Sequence, residues 1–202
     1  MGFITNWLPA SRLHGQLAAL DRCQAIVEFD LDGKILSANA NFLNATGYSL
    51  DEVKGRQHRL FMPPGEADTA DYRQLWADLG RGEFRSGEFL RIGKGGREIW
   101  LRASYNPILD AGGRPVSVIK YAFDITEQKN RMADLESQNA AISKAQAVIE
   151  FDLTGKIIDA NENFLSVMGY TLSEIVGQHH RMFVDPAERG LPAYKAFWEQ
   201  LA

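Results

Sequence analysis

The sequence predicts an α+β fold, an antiparallel sheet with helices on one face, and it predicts that fold twice. Three observations carry this. First, Gln24–Gly80 recurs without a gap as Gln146–Ala202, so that AIVEFDLDGKILSANANFLNATGYSLDEVKGRQHRLF is answered by AVIEFDLTGKIIDANENFLSVMGYTLSEIVGQHHRMF. A spacing of about 120 residues is too long for a solenoid unit and fits a duplicated domain. Second, the patterns of the first copy run strand, strand, short helices, longer helix, then three strands, which places the helices together on one sheet face. Third, Glu98–Leu109 alternates with the period of a half-buried strand: Ile99, Leu101, Ala103 and Tyr105 share one face, and Trp100, Arg102, Ser104 and Asn106 share the other.

Each element has a local reason. Ser11 caps a short helix to about Arg22, with Leu13, Leu17 and Leu20 along one stripe. Ala25–Asp30 and Lys34–Ala38 flank Asp32-Gly33, a strong hairpin turn signal, and Gly33 agrees with Gly155 of the second copy. Asn39 and Asn161 stand at N-cap positions, and Ser49 with Glu52, like Thr171 with Glu174, has capping-box spacing. Pro63-Pro64-Gly65 breaks the chain before a longer helix, Asp71–Leu79, carrying Tyr72, Leu75 and Trp76. Phe84–Ile92, Glu98–Leu109 and Val116–Phe123 then read as strands joined by turns at Gly93–Gly96 and Asp110–Gly113. The second copy stops at Ala202, opposite Gly80, so the expectation is one whole domain and the front half of another.

Between the copies, Ile125–Gln146 is polar and favours helix. Ile125, Met132, Leu135 and Ile142 fall near a and d spacing with Asn139 at an a position, which fits a short parallel coiled coil; a lone solvated helix is the alternative.

Composition narrows the function. With 202 residues, a net charge of −4 and a pI near 5.6, nucleic acid is not expected as the main partner. The single cysteine, Cys23, permits no internal disulfide and fits a reducing, cytoplasmic setting. The opening MGFITNWLPAS lacks the basic start of a signal peptide and is too interrupted for a membrane span. No GxSxG, HExxH, CxxC or P-loop is present, so a non-enzymatic protein is expected.

The DGKI hairpin, ANANF, GYSLDEVKG and YNPILDAGGRPVSVIKYAFDITEQK together resemble the PAS family of sensory domains. The resemblance implies the PAS fold, with a five-stranded antiparallel sheet, and divides the chain into an N-terminal helix (1–22), a first PAS domain (23–126), a linker helix (127–145) and a partial second PAS domain (146–202). Asp124-Ile125-Thr126 matches the family's terminal DIT, which leads into a signalling helix. GQHHRMF and GEFLRIGKGGREIWLRASYNPI, with a second PAS following, are similar to tandem-PAS soluble methyl-accepting chemotaxis and aerotaxis receptors. The resemblance implies a homodimer through the N-terminal and linker helices, with a histidine kinase and coupling protein engaged by a further C-terminal region.

It also implies a redox- or gas-responsive cofactor, with FAD favoured and haem b as the alternative. The residues that would hold it are Trp76, His58, Arg59, Arg91, Asn41, Tyr72 and Leu101. Trp76 would lie against the isoalloxazine, though amphipathic spacing alone makes it core. His58, shared with His180, would face a flavin or ligate haem iron; a structural histidine at a helix end is the other reading. Light-sensing PAS domains use a cysteine within GxNCRFL. Here Gly55–Phe61 occupies that stretch and His58 stands at the cysteine position, so adduct photochemistry is not expected. Arg91 and Leu101 replace the asparagines of such flavin sites, and Arg91 can still pair with a flavin carbonyl or phosphate. Trp100, on the outer sheet face, is expected to be covered by the N-terminal helix or a second subunit.

Overall fold

A computed structural model of the chain describes residues 10–201. The opening residues read above as neither signal peptide nor membrane span lie largely outside that range. The chain forms two compact units that meet between Asn130 and Arg131, inside a helix, and each is described by itself.

The first unit contains α1 (Ala10–Cys23), β1 (Ala25–Phe29), β2 (Ile35–Ala38), α2 (Ala40–Thr46), α3 (Leu50–Val53), α4 (Ala70–Gly80), β3 (Arg85–Ile92), β4 (Glu98–Leu109) and β5 (Pro115–Asp124). The start of α5 (Thr126–Ala145) closes it. The sheet is antiparallel with order β2-β1-β5-β4-β3, so the first and last strands of the domain, β1 and β5, pair at its centre. Strand alternation puts Val27 and Phe29, Ile99, Leu101 and Tyr105, and Val118 on one face, where they pack with Ile35, Phe42, Val53, Phe61 and Leu79.

Local chemistry fixes the elements that carry the site. The Asp30 carboxylate accepts from the N–H groups of Asp32 and Lys34, and Gly33 takes φ 81. The Trp76 ring lies so close to that glycine that an added Cβ would come within 2.9 Å of it. The Gly33 carbonyl accepts from the His58 N–H at 2.8 Å, which pins the 3-10 turn His58–Phe61 to the hairpin. Asn39 caps α2 through the Phe42 N–H, and Thr69 caps α4 through the Tyr72 N–H. The Ser49/Glu52 capping box forms.

The outer sheet face and the start of α5 bear on the sequence reading. Trp100 is half-buried, and within its own domain the Lys129 ammonium, in the first turn of α5, lies 4.9 Å from its ring centroid and bonds Glu88 at 2.8 Å. Ile125 is buried in the first domain, and its N–H donates to the Trp100 carbonyl, so it is unavailable to a coiled-coil seam. Leu13, Leu17 and Leu20 of α1 stay largely exposed, with Leu17 and Leu20 lining a groove against Ile26, Ile119 and Tyr121 of the sheet.

The second unit repeats the front of the first: β6 (Ile149–Phe151), β7 (Ile157–Ala160), α6 (Glu162–Met168), α7 (Leu172–Ile175) and α8 (Pro192–Leu201), with β6 and β7 paired antiparallel. Its buried core is small, formed by Ile157, Ala160 and Ile175 with partly buried neighbours.

Candidate functional site

The site is a polar chain threaded through the aromatic core of the first domain. His58 is fully buried. Its ring is stacked on Tyr72 and met edge-on by Phe29, Trp76 and Tyr105. Nδ1 of His58 lies 3.2 Å from the Tyr72 hydroxyl, and Nε2 lies 3.0 Å from the Tyr105 hydroxyl. The Arg91 guanidinium donates to the Tyr105 hydroxyl at 3.2 Å and to the Leu90 carbonyl at 2.6 Å. The Lys120 ammonium sits 4.8 Å from the Tyr105 ring centroid.

Electrostatics assigns the protons. Burial, reinforced by the Lys120 and Arg91 cations, holds His58 well below the ordinary imidazole value, so the ring is neutral. Arginine and lysine only donate. The Tyr105 oxygen therefore accepts from Arg91, and the acceptor available to its buried proton is His58 Nε2. With Nε2 accepting, Nδ1–H of His58 faces the Tyr72 oxygen. Burial raises the Tyr72 pKa, with the Trp76 indole N–H pulling the other way. For Tyr105, burial opposes ionisation, but Lys120 and Arg91 outweigh it and lower the pKa. Burial is the main cause of the lowered Lys120 pKa, with Tyr105 opposing.

Outside this chain lies a groove of about 610 Å³ between α4 and β3. Tyr72 and Arg91 form its polar inner wall, and Met62, Leu75 and Phe89 its apolar sides. The volume is that of an ordinary small-molecule site. Arg91 is 4% exposed, and its Nε is buried without a hydrogen-bond partner. The groove thus sets two polar side chains, Tyr72 and Arg91, beside an apolar bed.

The structure brings four of the seven sequence-predicted residues together: His58, Tyr72, Trp76 and Arg91. Trp76 adjoins His58 but turns toward Gly33 and Phe29, away from the groove lining. The other three are elsewhere, each for a physical reason. Asn41 donates to the carbonyls of Asp21 and Gln24, tying the end of α1 to the domain. Arg59 is exposed and paired with Asp68. Leu101 is core on β4, paired in register with Phe89. Sequence reasoning missed Tyr105 and Lys120 as site residues. A signal existed for Lys120, which falls on the inward parity of β5 between Val118 and Ala122.

The second unit repeats part of this arrangement. His180 Nδ1 lies 3.1 Å from the Tyr194 hydroxyl, the two rings are stacked, and Phe151 and Trp198 meet His180 edge-on. Asn161 and Asn163 hold the carbonyls of Ser143, Lys144 and Gln146, as Asn39 and Asn41 hold those of Asp21 and Gln24. Each domain therefore grips the helix that enters it through a pair of asparagines.

A five-stranded antiparallel sheet, short helices over one face and a polar cluster buried between them define a class of small α+β domains. This chain belongs to the PAS family: residues 21–130 match the PAS fold and residues 146–201 match the PAS domain. It is similar to the biofilm dispersion protein BdlA of Pseudomonas aeruginosa, 45% identical over 92% of this chain and 44% of that protein. It is also similar to the blue-light-activated histidine kinase of Brucella canis, 29% identical over 62% of this chain and 28% of that protein. The chain spans less than half the length of these relatives. Among solved structures, an RNA-binding light-oxygen-voltage receptor shares the fold at TM-score 0.54 and 24% identity, covering 68% of this chain and 40% of that one. The PAS domain of a Colwellia psychrerythraea protein does so at 0.51 and 24%, covering 57% and 98%.

Proposed function

We propose that this chain is the sensory input part of a bacterial signal-transduction protein of the chemotaxis type, working as a non-enzymatic, cytoplasmic sensor. Its first PAS domain holds a redox-responsive cofactor, with FAD favoured, at the α4–β3 groove. The observation that carries this reading is the lining of that groove, which includes the Tyr72 side chain and Arg91, a buried cation whose Nε has no hydrogen-bond partner. FAD, when bound, supplies a ring whose charge and hydrogen bonding change on reduction. The chain's own residues do the rest. Arg91 and Tyr72 orient the polar edge, and the His58–Tyr105 pair behind them adjusts its proton positions. β3 carries the change onward, because alternate residues face opposite sides: Arg91 faces the groove, and Glu88 faces out to bond Lys129 in α5.

Output then leaves through α5, whose start is fixed by Thr126 Oγ1 accepting from the Trp100 N–H at 2.9 Å. In the longer protein this helix, with α1, forms a homodimer, and a histidine kinase and coupling protein read its state. Among the described residues no helix is long and apolar enough to cross a membrane.

Haem is the second reading that the sequence raised. Both His58 nitrogens are engaged by tyrosine hydroxyls, so iron ligation by that ring requires the network to break. The visible spectrum of the full chain, purified from cells supplied with riboflavin and haem precursor, decides. The expected result is a flavin band near about 450 nm; a Soret band near about 400 nm favours haem. A colourless, folded protein overturns both cofactor readings.

A further inference from the structure

The charge at the centre of the first domain does not balance. Arg91 and Lys120 are 4% and 2% exposed, both adjoin Tyr105, and neither forms an ion pair among the described residues. Buried cations in native proteins are normally paired, because removing one from water without a counter-charge is expensive. Tyr105 and Lys120 can each change charge by losing a proton, but the Arg91 guanidinium stays protonated, and its buried Nε has no hydrogen-bond partner.

The rest of the groove agrees. Of its acids, Glu66 and Asp71 stand exposed, and buried Asp78 is occupied by Arg81, Arg85 and Gln74. Positive charge thus lies at the inner end. Tyr72 adds a half-buried hydroxyl on the lining of the same groove, within hydrogen-bond distance of His58. Leu75, Phe89 and Met62 line the approach.

We propose that the α4–β3 groove is a site for an organic anion that seats a carboxylate or an equally charged planar edge on Arg91 and Tyr72 and lays an apolar body along Leu75 and Phe89. This rests on the reading of that groove as the ligand seat. It adds that the ligand must bring its own negative charge, whether as a free carboxylate or as the anionic edge of a reduced flavin.

The test is a thermal-denaturation series on the full chain with hexanoate and benzoate against their neutral counterparts, hexanamide and benzamide. At tenfold excess over Kd, the carboxylates are expected to raise the first-domain midpoint by about 4 °C or more. The amides should leave it in place. Arg91→Met keeps the packing stem, should lose the carboxylate shift, and should melt no lower than wild type without ligand, because an uncompensated buried charge is gone. Equal shifts from acids and amides, or a lowered midpoint for unliganded Arg91→Met, overturn the proposal. Spectra from the same preparations separate the two readings. Flavin retained in full by Arg91→Met, reduced as well as oxidised, removes the anion site and leaves the flavin reading standing. A colourless wild type that answers to hexanoate removes the flavin and keeps the anion site.

Discussion

Tyr105 and His58 stand 47 residues apart in the chain and meet through a 3.0 Å hydrogen bond at the centre of the first PAS domain. His58 comes from a 3-10 turn pinned to the first hairpin, and Tyr105 from the inward face of β4. Their bond joins the helical layer to the sheet, and with Tyr72 and Arg91 it links the core to the groove.

Replacing His58 tests that bond. His58→Ala leaves a cavity among aromatic rings and two tyrosine hydroxyls short of a partner, and should cost about 3 kcal/mol. Urea denaturation measures it. His58→Gln, which can bond one or both hydroxyls, should recover part of the loss.

Acid should unfold the first domain through the same residue. The folded His58 pKa lies well below the unfolded value of 6.5, so below that pH the unfolded chain binds a proton that the folded chain refuses. Stability is fully present above about pH 6.5 and falls as the pH drops toward the folded pKa, with a slope approaching about 1.4 kcal/mol per pH unit. His180 is lowered in the same direction in the second unit. The component belonging to His58 is the part that disappears in His58→Gln, read from urea midpoints across pH 5 to 8.

The hairpin turn should resist any side chain at Gly33. Its positive φ disfavours other residues, and a Cβ would meet the Trp76 ring at 2.9 Å. Gly33→Ala should destabilise by about 1 to 3 kcal/mol. Combined with Trp76→Leu, part of that cost should vanish, a non-additivity that a double-mutant cycle detects.

The start of α5 should loosen when its clamp is cut. Glu88 bonds both Lys129 and Arg102, and Lys129 covers Trp100. Exposed pairs contribute little to global stability, so Glu88→Gln should leave the melting midpoint nearly unchanged. It should nevertheless speed amide exchange over Thr126–Asn130. Unchanged exchange would remove the clamp from the route to the linker.

Much of the fold is legible in the sequence because its signals are local. β4 spans Glu98–Leu109, the span its alternation marks, and both capping boxes form where their spacing puts them. The Asp-Gly turn, the N-cap asparagines and α4 need only near neighbours to define them. The site is less legible because its bonds are long-range. Nothing within a few residues of Asn41 shows that its amide will hold the end of α1, or that Tyr105 and Arg91 will share a hydroxyl contact. Trp76 illustrates the limit: its helical face is evident, but whether the ring meets a ligand or Gly33 is decided by a hairpin over 40 residues away in sequence.

The most direct test of the sensory account is hydrogen exchange, read by mass spectrometry, on the peptide spanning Asp124–Lys144 of the full chain, in air and after reduction with dithionite. The account predicts a severalfold change in exchange across the start of α5, carried through Arg91 and β3 and lost in Arg91→Met. Identical exchange in the two states, in a chain whose spectrum shows that its cofactor has been reduced, would contradict it.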